Sequence, residues 1–384
     1  MQVPPFSLSQ QISDLGTDLE EAVLQVLRSG QYIGGAAVKA FEDAFATSVG
    51  TSHAVGCNSG TDALILGLRA LEIGPGDEVI TCSFSFFATA EAISAVGATP
   101  VFVDVDPTTY LIDLDQIEAA ITPATKALMP VHLFGRPVDM TRLMAIAKAH
   151  HLNVVEDCAQ ATGARWNGQP VGSFGDVGCF SFFPTKNLGA AGDGGAATTN
   201  DAGIAQTMRE LAVHGMPERY LHTALGYNSR LDAMQAAVLN VKLPRLTGWV
   251  ERRTEIAARY RDQLADLPGL CLPSTELGHS WNQFVVRINS DRDGFRQILQ
   301  DRGVSTIIYY PIPIHSQPAY AHLGQAKGSL PITEQLCQQV LSLPIFPELS
   351  EQQQQTVIAT LHKLLRVQAP TQLTRNGNQD RMVA

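Results

Sequence analysis

The chain has 384 residues, enough for two or three domains or for one large α/β domain with an appendage. Of these, 45% are hydrophobic, so a sizeable core can form without disulfide or metal staples. The formal net charge of −10, with no Lys/Arg-rich run, argues against a nucleic-acid polyanion as the main partner. No apolar run reaches the length of a membrane span, and the opening MQVPPFSLSQQ lacks a basic region followed by an apolar stretch, so a cytoplasmic protein is expected.

Along the chain, short β-type runs alternate with helical patterns. Strands are predicted at HAVGC (53–57), EVITC (78–82), PVFVD (100–104), KALMPV (126–131), NVVED (153–157), GCFSFF (178–183) and GGAATT (194–199). Helical runs separate many of them, for example TDALILGLRAL (61–71) and VDMTRLMAIAKAH (138–150). Such alternation builds a mostly parallel sheet covered by helices. After about residue 230 the pattern changes. RLDAMQAAVLNVKL (230–243) and WVERRTEIAARYRDQLADL (249–267) are helical, with Pro244 near the junction. WNQFVVRI (281–288) then reads as a strand and DGFRQILQDRG (293–303) as a helix closed by Gly303. The expected organisation is a large α/β domain over residues 1–245, a smaller C-terminal α+β domain over 246–367 and a polar, disordered tail over 368–384. Six cysteines (Cys57, Cys82, Cys158, Cys179, Cys271 and Cys337) form no C-x-x-C pair, and most lie in apolar segments. They read as reduced, buried side chains, and no metal site is expected.

Ligands of a parallel sheet gather at the carboxyl ends of its strands, so the residues after each strand carry the functional signal. HAVGC is followed by Asn58-Ser59-Gly60-Thr61-Asp62. Ser59 or Thr61 can cap the next helix, and free N–H groups beside small hydroxyls and a glycine also make an anion site. There is no G-x-x-x-x-G-K-[ST] and no well-placed G-x-G-x-x-G, which counts against a nucleotide P-loop and a nicotinamide dehydrogenase. EVITC leads into Ser83-Phe84-Ser85-Phe86-Phe87, whose aromatics either enter the core or stack on a planar ring. NVVED ends on Glu156 and Asp157. Both acids either sit in solvent beyond the strand or, if buried, need a cationic partner. GCFSFF ends before Pro184, and a lone Lys186 follows ahead of the glycine-rich GAAGDGGAATT. This lysine is either a surface residue or a buried amine able to form a Schiff base with an aldehyde. Ser181, five residues earlier, could share a phosphate with Ser59 and Thr61. Each signal is weak alone. Together they describe a ligand with a phosphate, a flat ring, a ring nitrogen needing an acid and an aldehyde needing a lysine, which is pyridoxal 5′-phosphate.

The stretches SGTDAL (59–64), SFSFFATAEAI (83–93), VHLFGRPVDM (131–140), EDCAQATGA (156–164), SFFPTKNLGAAGDGGA (181–196), GYNSRLDAMQAAVL (226–239) and YYPIPIHSQPAY (309–320) add a resemblance. In this order, over roughly residues 10 to 365, the chain resembles the sugar-nucleotide aminotransferases of the DegT/DnrJ/EryC1/StrS family. The resemblance implies a fold-type I transferase dependent on pyridoxal phosphate, with a mostly parallel seven-stranded sheet flanked by helices. It implies that Lys186 links to the cofactor and later moves the substrate proton, and that Asp157 pairs with the ring nitrogen. By the same resemblance Gln160 sits near the ring hydroxyl, Phe86 stacks on the ring, and Gly60, Thr61 and Ser181 hold the phosphate, beside the Ser59 already read from the residues. Asn228 would reach the phosphate from the other subunit of a homodimer. Tyr310, His315 and Arg230 become candidate sugar contacts.

The implied reaction carries an amino group from L-glutamate, through pyridoxamine 5′-phosphate, to a keto-sugar nucleotide. The expected position is C3 of a dTDP-3-keto-6-deoxyhexose, with C4 amination or a UDP-linked keto-sugar acid as alternatives. Dehydratase relatives replace the lysine with histidine, whereas Lys186 is present. A cofactor-binding regulatory protein without turnover is the reading from another class, and the intact lysine, aspartate and phosphate set argues against it. Cys158 departs from the alanine common at that position and is small enough to be tolerated.

Overall fold

Strands buried on both faces need continuous apolar runs, and the predicted runs supply the strands of the main sheet. In the computed structural model, which describes residues 1–274 and 278–367, these begin with β1 (His53–Cys57), β2 (Glu78–Cys82), β3 (Thr99–Val103), β4 (Thr125–Leu128) and β5 (Asn153–Asp157). A small antiparallel hairpin follows, β6 (Arg165–Trp166) and β7 (Gln169–Pro170), and then β8 (Val177–Ser181) and β9 (Gly195–Thr199) complete the set. The sheet order is β1-β9-β8-β5-β4-β2-β3, and only β9 runs antiparallel to its neighbours. The predicted strands therefore correspond to the observed sheet, within a residue or two at most ends. The hairpin strands escape prediction because two residues are too short to show a period. The tail expected over 368–384 lies outside the described residues.

After α1 (Ser9–Ser29), helices cover both faces of this sheet. Phe41, Phe45 and Ala46 of α2 (Ala36–Val49) pack on one face with Phe180, Phe182 and Ala196. The other face carries α3 (Gly60–Ala70) and α4 (Ala88–Ala95), whose Leu64, Leu66 and Ile93 meet Val55, Val79 and Val155. Next in the chain come α5 (Leu114–Ala120), α6 (Met140–His150), α7 (Ala202–Ala212) and α8 (Ala233–Lys242). Met208 and Leu211 of α7 extend the α3 face, while Ala236 and Leu239 of α8 extend the α2 face.

The remaining elements form a second layer. They are α9 (Leu246–Leu264), β10 (Leu270–Cys271), β11 (Phe284–Ile288), α10 (Arg292–Asp301), α11 (Pro331–Gln339), β12 (Val340–Leu343) and α12 (Glu351–Val367). β11 is the centre of an antiparallel three-stranded sheet. Its core joins Tyr260, Phe284, Leu299, Leu341 and Leu361, and it includes Val3, which bridges to Val304. The chain thus begins against its C-terminal layer. Five of the six cysteines are buried. Among the described residues, no helix is long and apolar enough to cross a membrane.

One buried carboxylate ties the two layers together. Asp104 follows β3, and its Oδ1 accepts from Thr333 N and Oγ1 at 2.8 and 2.7 Å while Oδ2 accepts from Ile332 N at 2.9 Å. The first N–H groups of a helix lack partners within it and favour negative charge, and α11 has no capping side chain of its own. Replacing Asp104 with alanine strips these donors of their acceptor, so we expect unfolding stability to fall by roughly 2 kcal/mol. Urea denaturation checks this, and an unchanged midpoint would remove the link from the stability of the fold.

Candidate active site

The carboxyl ends of β1, β2, β5 and β8 open on one cavity of about 420 Å³. Ser59, Gly60 and Thr61 enter it from the start of α3, where Ser59 Oγ accepts from Asp62 N at 3.1 Å and caps the helix. Ser181 enters it from the end of β8. β1 and β8 are separated by β9, and strands two places apart lie about 10 Å from each other. Two glycines close that gap. Gly195 of β9 is in register with both Cys57 and Ser181, and a Cβ there would meet the Ser59 carbonyl carbon at 2.3 Å. A Cβ on Gly60 would meet the Ser181 Cβ at 2.7 Å. The first turn of α3 thus crosses over a bare stretch of β9 to reach Ser181. Backbone N–H groups at a helix start, joined by small hydroxyls, form an anion cradle.

β5 delivers two acids to opposite sides, because successive strand side chains alternate. Glu156 turns inward. Its carboxylate accepts from Gly172 N, Phe174 N and Gly175 N at 2.8 Å each and from His132 Nε2 at 3.0 Å. His132 Nδ1 accepts from Val138 N, so the ring proton sits on Nε2 and points at Glu156. His132, Glu156 and Cys158 bring potential ligand atoms within 4.8 Å of one another, but these bonds already use both His132 nitrogens and both Glu156 oxygens. Asp157 lines the cavity instead. Its Oδ1 accepts from Ala159 N at 3.1 Å and its Oδ2 from Thr89 Oγ1 at 2.8 Å. Burial pushes the Asp157 carboxyl above its usual range, opposed by these two donors and by the charge of Lys186. Both acids are buried, so neither sits in solvent beyond the strand.

Lys186 lines the same cavity, on the turn after β8. Two side chains pin that turn. Asn187 Nδ2 donates to the Ser280 carbonyl at 2.9 Å and to that of Thr162 at 3.3 Å, and Lys242 Nζ donates to the Gly189 carbonyl at 2.7 Å. Burial lowers the Lys186 ammonium to about 8, while Asp157 pulls in the other direction. A neutral amine is therefore accessible near physiological pH.

The aromatics after β2 divide. Phe84 is fully buried, edge-on to Tyr110 and Phe134. Phe86 is 58% exposed on the cavity wall, its ring centroid 6.1 Å from that of Tyr310. Gln160 Oε1 accepts from Phe134 N, which orients the amide so that Nε2 donates to Tyr310 Oη at 2.7 Å. Burial raises the Tyr310 phenol, which keeps it protonated.

Three of the sequence candidates do not line this cavity. His315 is buried elsewhere: its Nδ1 lies 2.7 Å from Ser83 Oγ, its Nε2 3.4 Å from Glu334 Oε1, and its backbone N–H also meets Ser83 Oγ. It anchors the segment that carries Tyr310. Asn228 and Arg230 stand on a loop outside it, where Asn58 Nδ2 donates to the Asn228 carbonyl and Asn58 Oδ1 accepts from Arg230 N. Conversely, Ser85, Thr89, Asp193, Gln283 and Tyr309 line the cavity without having been singled out. The one signal for Thr89 was a second hydroxyl four residues after Ser85 across the start of α4.

Pyridoxal phosphate fits this arrangement. The cavity joins a low-pKa amine, a carboxylate, an exposed aromatic face and an anion cradle that a Cβ on Gly60 would fill.

Comparison with known proteins agrees. The chain matches the family model of the DegT/DnrJ/EryC1/StrS aminotransferases over residues 13–362. It is 49% identical, over 94% of this chain and 98% of the relative, to a UDP-N-acetyl-3-dehydro-alpha-D-glucosamine 3-aminotransferase of Acidithiobacillus ferrooxidans. It is 46% identical, over 93% of this chain and 94% of the relative, to a dTDP-3-amino-3,4,6-trideoxy-alpha-D-glucose transaminase of Streptomyces venezuelae. The crystal structure of NtdA from Bacillus subtilis with bound cofactor PMP is similar at a TM-score of 0.89 and 33% identity, covering 95% of this chain and 85% of that one.

Only the neutral amine attacks an aldehyde, and its fraction rises as pH passes the pKa. The rate at which cofactor-free protein takes up pyridoxal phosphate should therefore climb with pH and level off above about 8. Absorbance of the bound cofactor reads this rate. A climb that continues toward 10.5, the ordinary lysine value, would mean that the amine is not desolvated.

Proposed function

The chain belongs to the DegT/DnrJ/EryC1/StrS family and is a pyridoxal-phosphate-dependent sugar aminotransferase, and we propose that it aminates C3 of a keto-sugar nucleotide with L-glutamate as donor. The observation that carries the reading is the meeting of the Lys186 amine and the Asp157 carboxylate in one cavity beside the Ser59–Ser181 anion cradle. Both relatives described above carry a 3-amino or 3-dehydro sugar in their names, which supports C3 over C4.

When bound, the cofactor supplies an electron sink for the pair left at the donor α-carbon. The residues of the chain do the rest. Gly60, Thr61, Ser59 and Ser181 bind the phosphate, and Phe86 covers the ring face. Asp157, as a carboxylate, holds the proton of the ring nitrogen. Lys186 holds the cofactor in the resting protein and, once released, accepts and returns the proton of the α-carbon, a role suited to an amine with a pKa of about 8. Gln160 and Tyr310 present hydrogen-bonding groups at the far wall for ring and sugar hydroxyls.

The sugar we favour is a dTDP-3-keto-6-deoxyhexose. The 49% identity to a UDP-sugar enzyme favours a UDP-linked 3-keto sugar as the second reading. We further read Asn228 and Arg230 as contributions to the site of a second copy in a homodimer. Their loop lies outside its own cavity and exposes Tyr220, Leu221 and Leu225 at 79%, 51% and 87%.

Four experiments test this. The pyridoxamine-phosphate form should regain the absorbance of the pyridoxal form with a 3-keto sugar nucleotide and not with dTDP-4-keto-6-deoxyglucose. Recovery with the 4-keto sugar alone would overturn the C3 assignment, and a comparison of dTDP- and UDP-linked 3-keto sugars separates the two readings. Lys186→Ala should leave no borohydride-reducible link to the cofactor, and Asp157→Asn should lower kcat by about 10²-fold or more while cofactor still binds. A retained reducible link, or near-normal turnover of Asp157→Asn, would refute those roles.

A further inference from the structure

Two hydroxyls beside Asp157 are not accounted for by the roles above. Thr89 Oγ1 lies 2.8 Å from Asp157 Oδ2, and Ser85 Oγ lies 2.8 Å from Thr89 Oγ1. Both side chains are buried, and both line the cavity. A hydroxyl has a single proton to give, and a carboxylate can only accept. The Thr89 proton therefore goes to Asp157, which obliges Ser85 to donate to Thr89. The chain has one direction: Ser85 to Thr89 to Asp157 Oδ2, with Ala159 N–H on Oδ1.

We infer that Ser85 and Thr89 are positioning residues, an ordered hydroxyl chain that holds Asp157 as a carboxylate oriented toward the ring nitrogen of the cofactor. The inference rests on the reading that Asp157 faces that nitrogen. Burial alone favours the neutral acid, and a neutral carboxyl cannot accept the ring proton. The groups facing Asp157 are few. Lys186 favours the anion and His132 gives its one N–H to Glu156, while Cys82, Cys158, Cys179 and Tyr310 are buried thiols and a phenol that burial keeps uncharged. Lys186 ceases to be a free ammonium once it holds the cofactor. The hydroxyl chain and the Ala159 N–H then remain as fixed donors, and hydrogen bonds to a charged acceptor are the strong ones.

The position of the pair in the fold supports the assignment. Ser85 and Thr89 sit four residues apart across the first turn of α4, on the segment that also carries Phe86. One short stretch thus sets both the stacking face and the protonation of the acid.

The test compares Thr89→Val, which keeps the shape and removes the hydroxyl, with Thr89→Ser and Ser85→Ala. Thr89→Val should lower kcat by about 10- to 100-fold, the worth of one hydrogen bond to a charged group, with little change in KM for the donor. Cofactor-free Thr89→Val should bind pyridoxal phosphate about tenfold more weakly. The pH midpoint of the bound cofactor's absorbance should rise by about one unit, because a ring without its nitrogen proton leaves the Lys186 linkage more basic. Thr89→Ser should restore all three readouts. Ser85→Ala should move them in the same direction by a smaller amount, and it carries the test if Thr89→Val does not fold. Unchanged affinity and midpoint in Ser85→Ala and Thr89→Val, with Asp157→Asn still impaired, would overturn the inference and leave the role of Asp157 standing. Near-normal turnover of Asp157→Asn would instead remove the reading beneath it.

Discussion

A carboxylate at the end of a strand buried on both faces needs donors or opposite charge around it, and this chain meets that need twice in two residues. Glu156 and Asp157 leave β5 in opposite directions. The first is saturated by three backbone N–H groups and His132, and it locks the loop at 172–175 against the sheet. The second has two protein donors among the described residues and faces the cavity. One acid is consumed by structure, and the other retains acceptor capacity for a ligand. The opposed proton preferences of Asp157 and Lys186 arise from the same burial, which disfavours whichever form is charged.

The sheet order makes the site possible. Because β9 is inserted antiparallel between β1 and β8, the ends of β1 and β8 point the same way but lie two strands apart. The start of α3 bridges them only because Gly195 and Gly60 have no side chains to collide with Ser59 and Ser181. The second layer contributes the opposite wall. Tyr309 and Tyr310 stand between an anchor at Ile307, which pairs with β12, and an anchor at His315, which is held by Ser83. The Asp104 contact with the start of α11 keeps that layer in register with the sheet.

Much of this was legible. Seven predicted apolar runs became the seven strands, and the residues after four of them line one cavity, because strand and helix-start signals are local. What the sequence left open shares a cause. His315, in a proline-rich segment, reads as a loop residue available to a ligand, yet its partners Ser83 and Glu334 bury it. Thr89 lay in plain view within SFSFFATAEAI, but its meaning depends on Asp157, 68 residues away. β10 was too short to show a period.

By itself the sequence determined the residue types that end each strand, the lysine after β8 and the glycines that permit close approach. These follow from backbone preferences acting over a few residues, and their order along the chain carries the family. Only the tertiary structure decided which of two adjacent acids faces the cavity, which aromatic stays exposed, that Ser85 and Thr89 line up on Asp157 and that His315 is buried as an anchor. Each of those outcomes depends on hydrogen bonds and packing between segments distant in sequence, as with Glu156 and His132, 24 residues apart, or Ser83 and His315, 232 apart. Burial and partner supply decide the state of a polar group, and neither is a property of the residue alone.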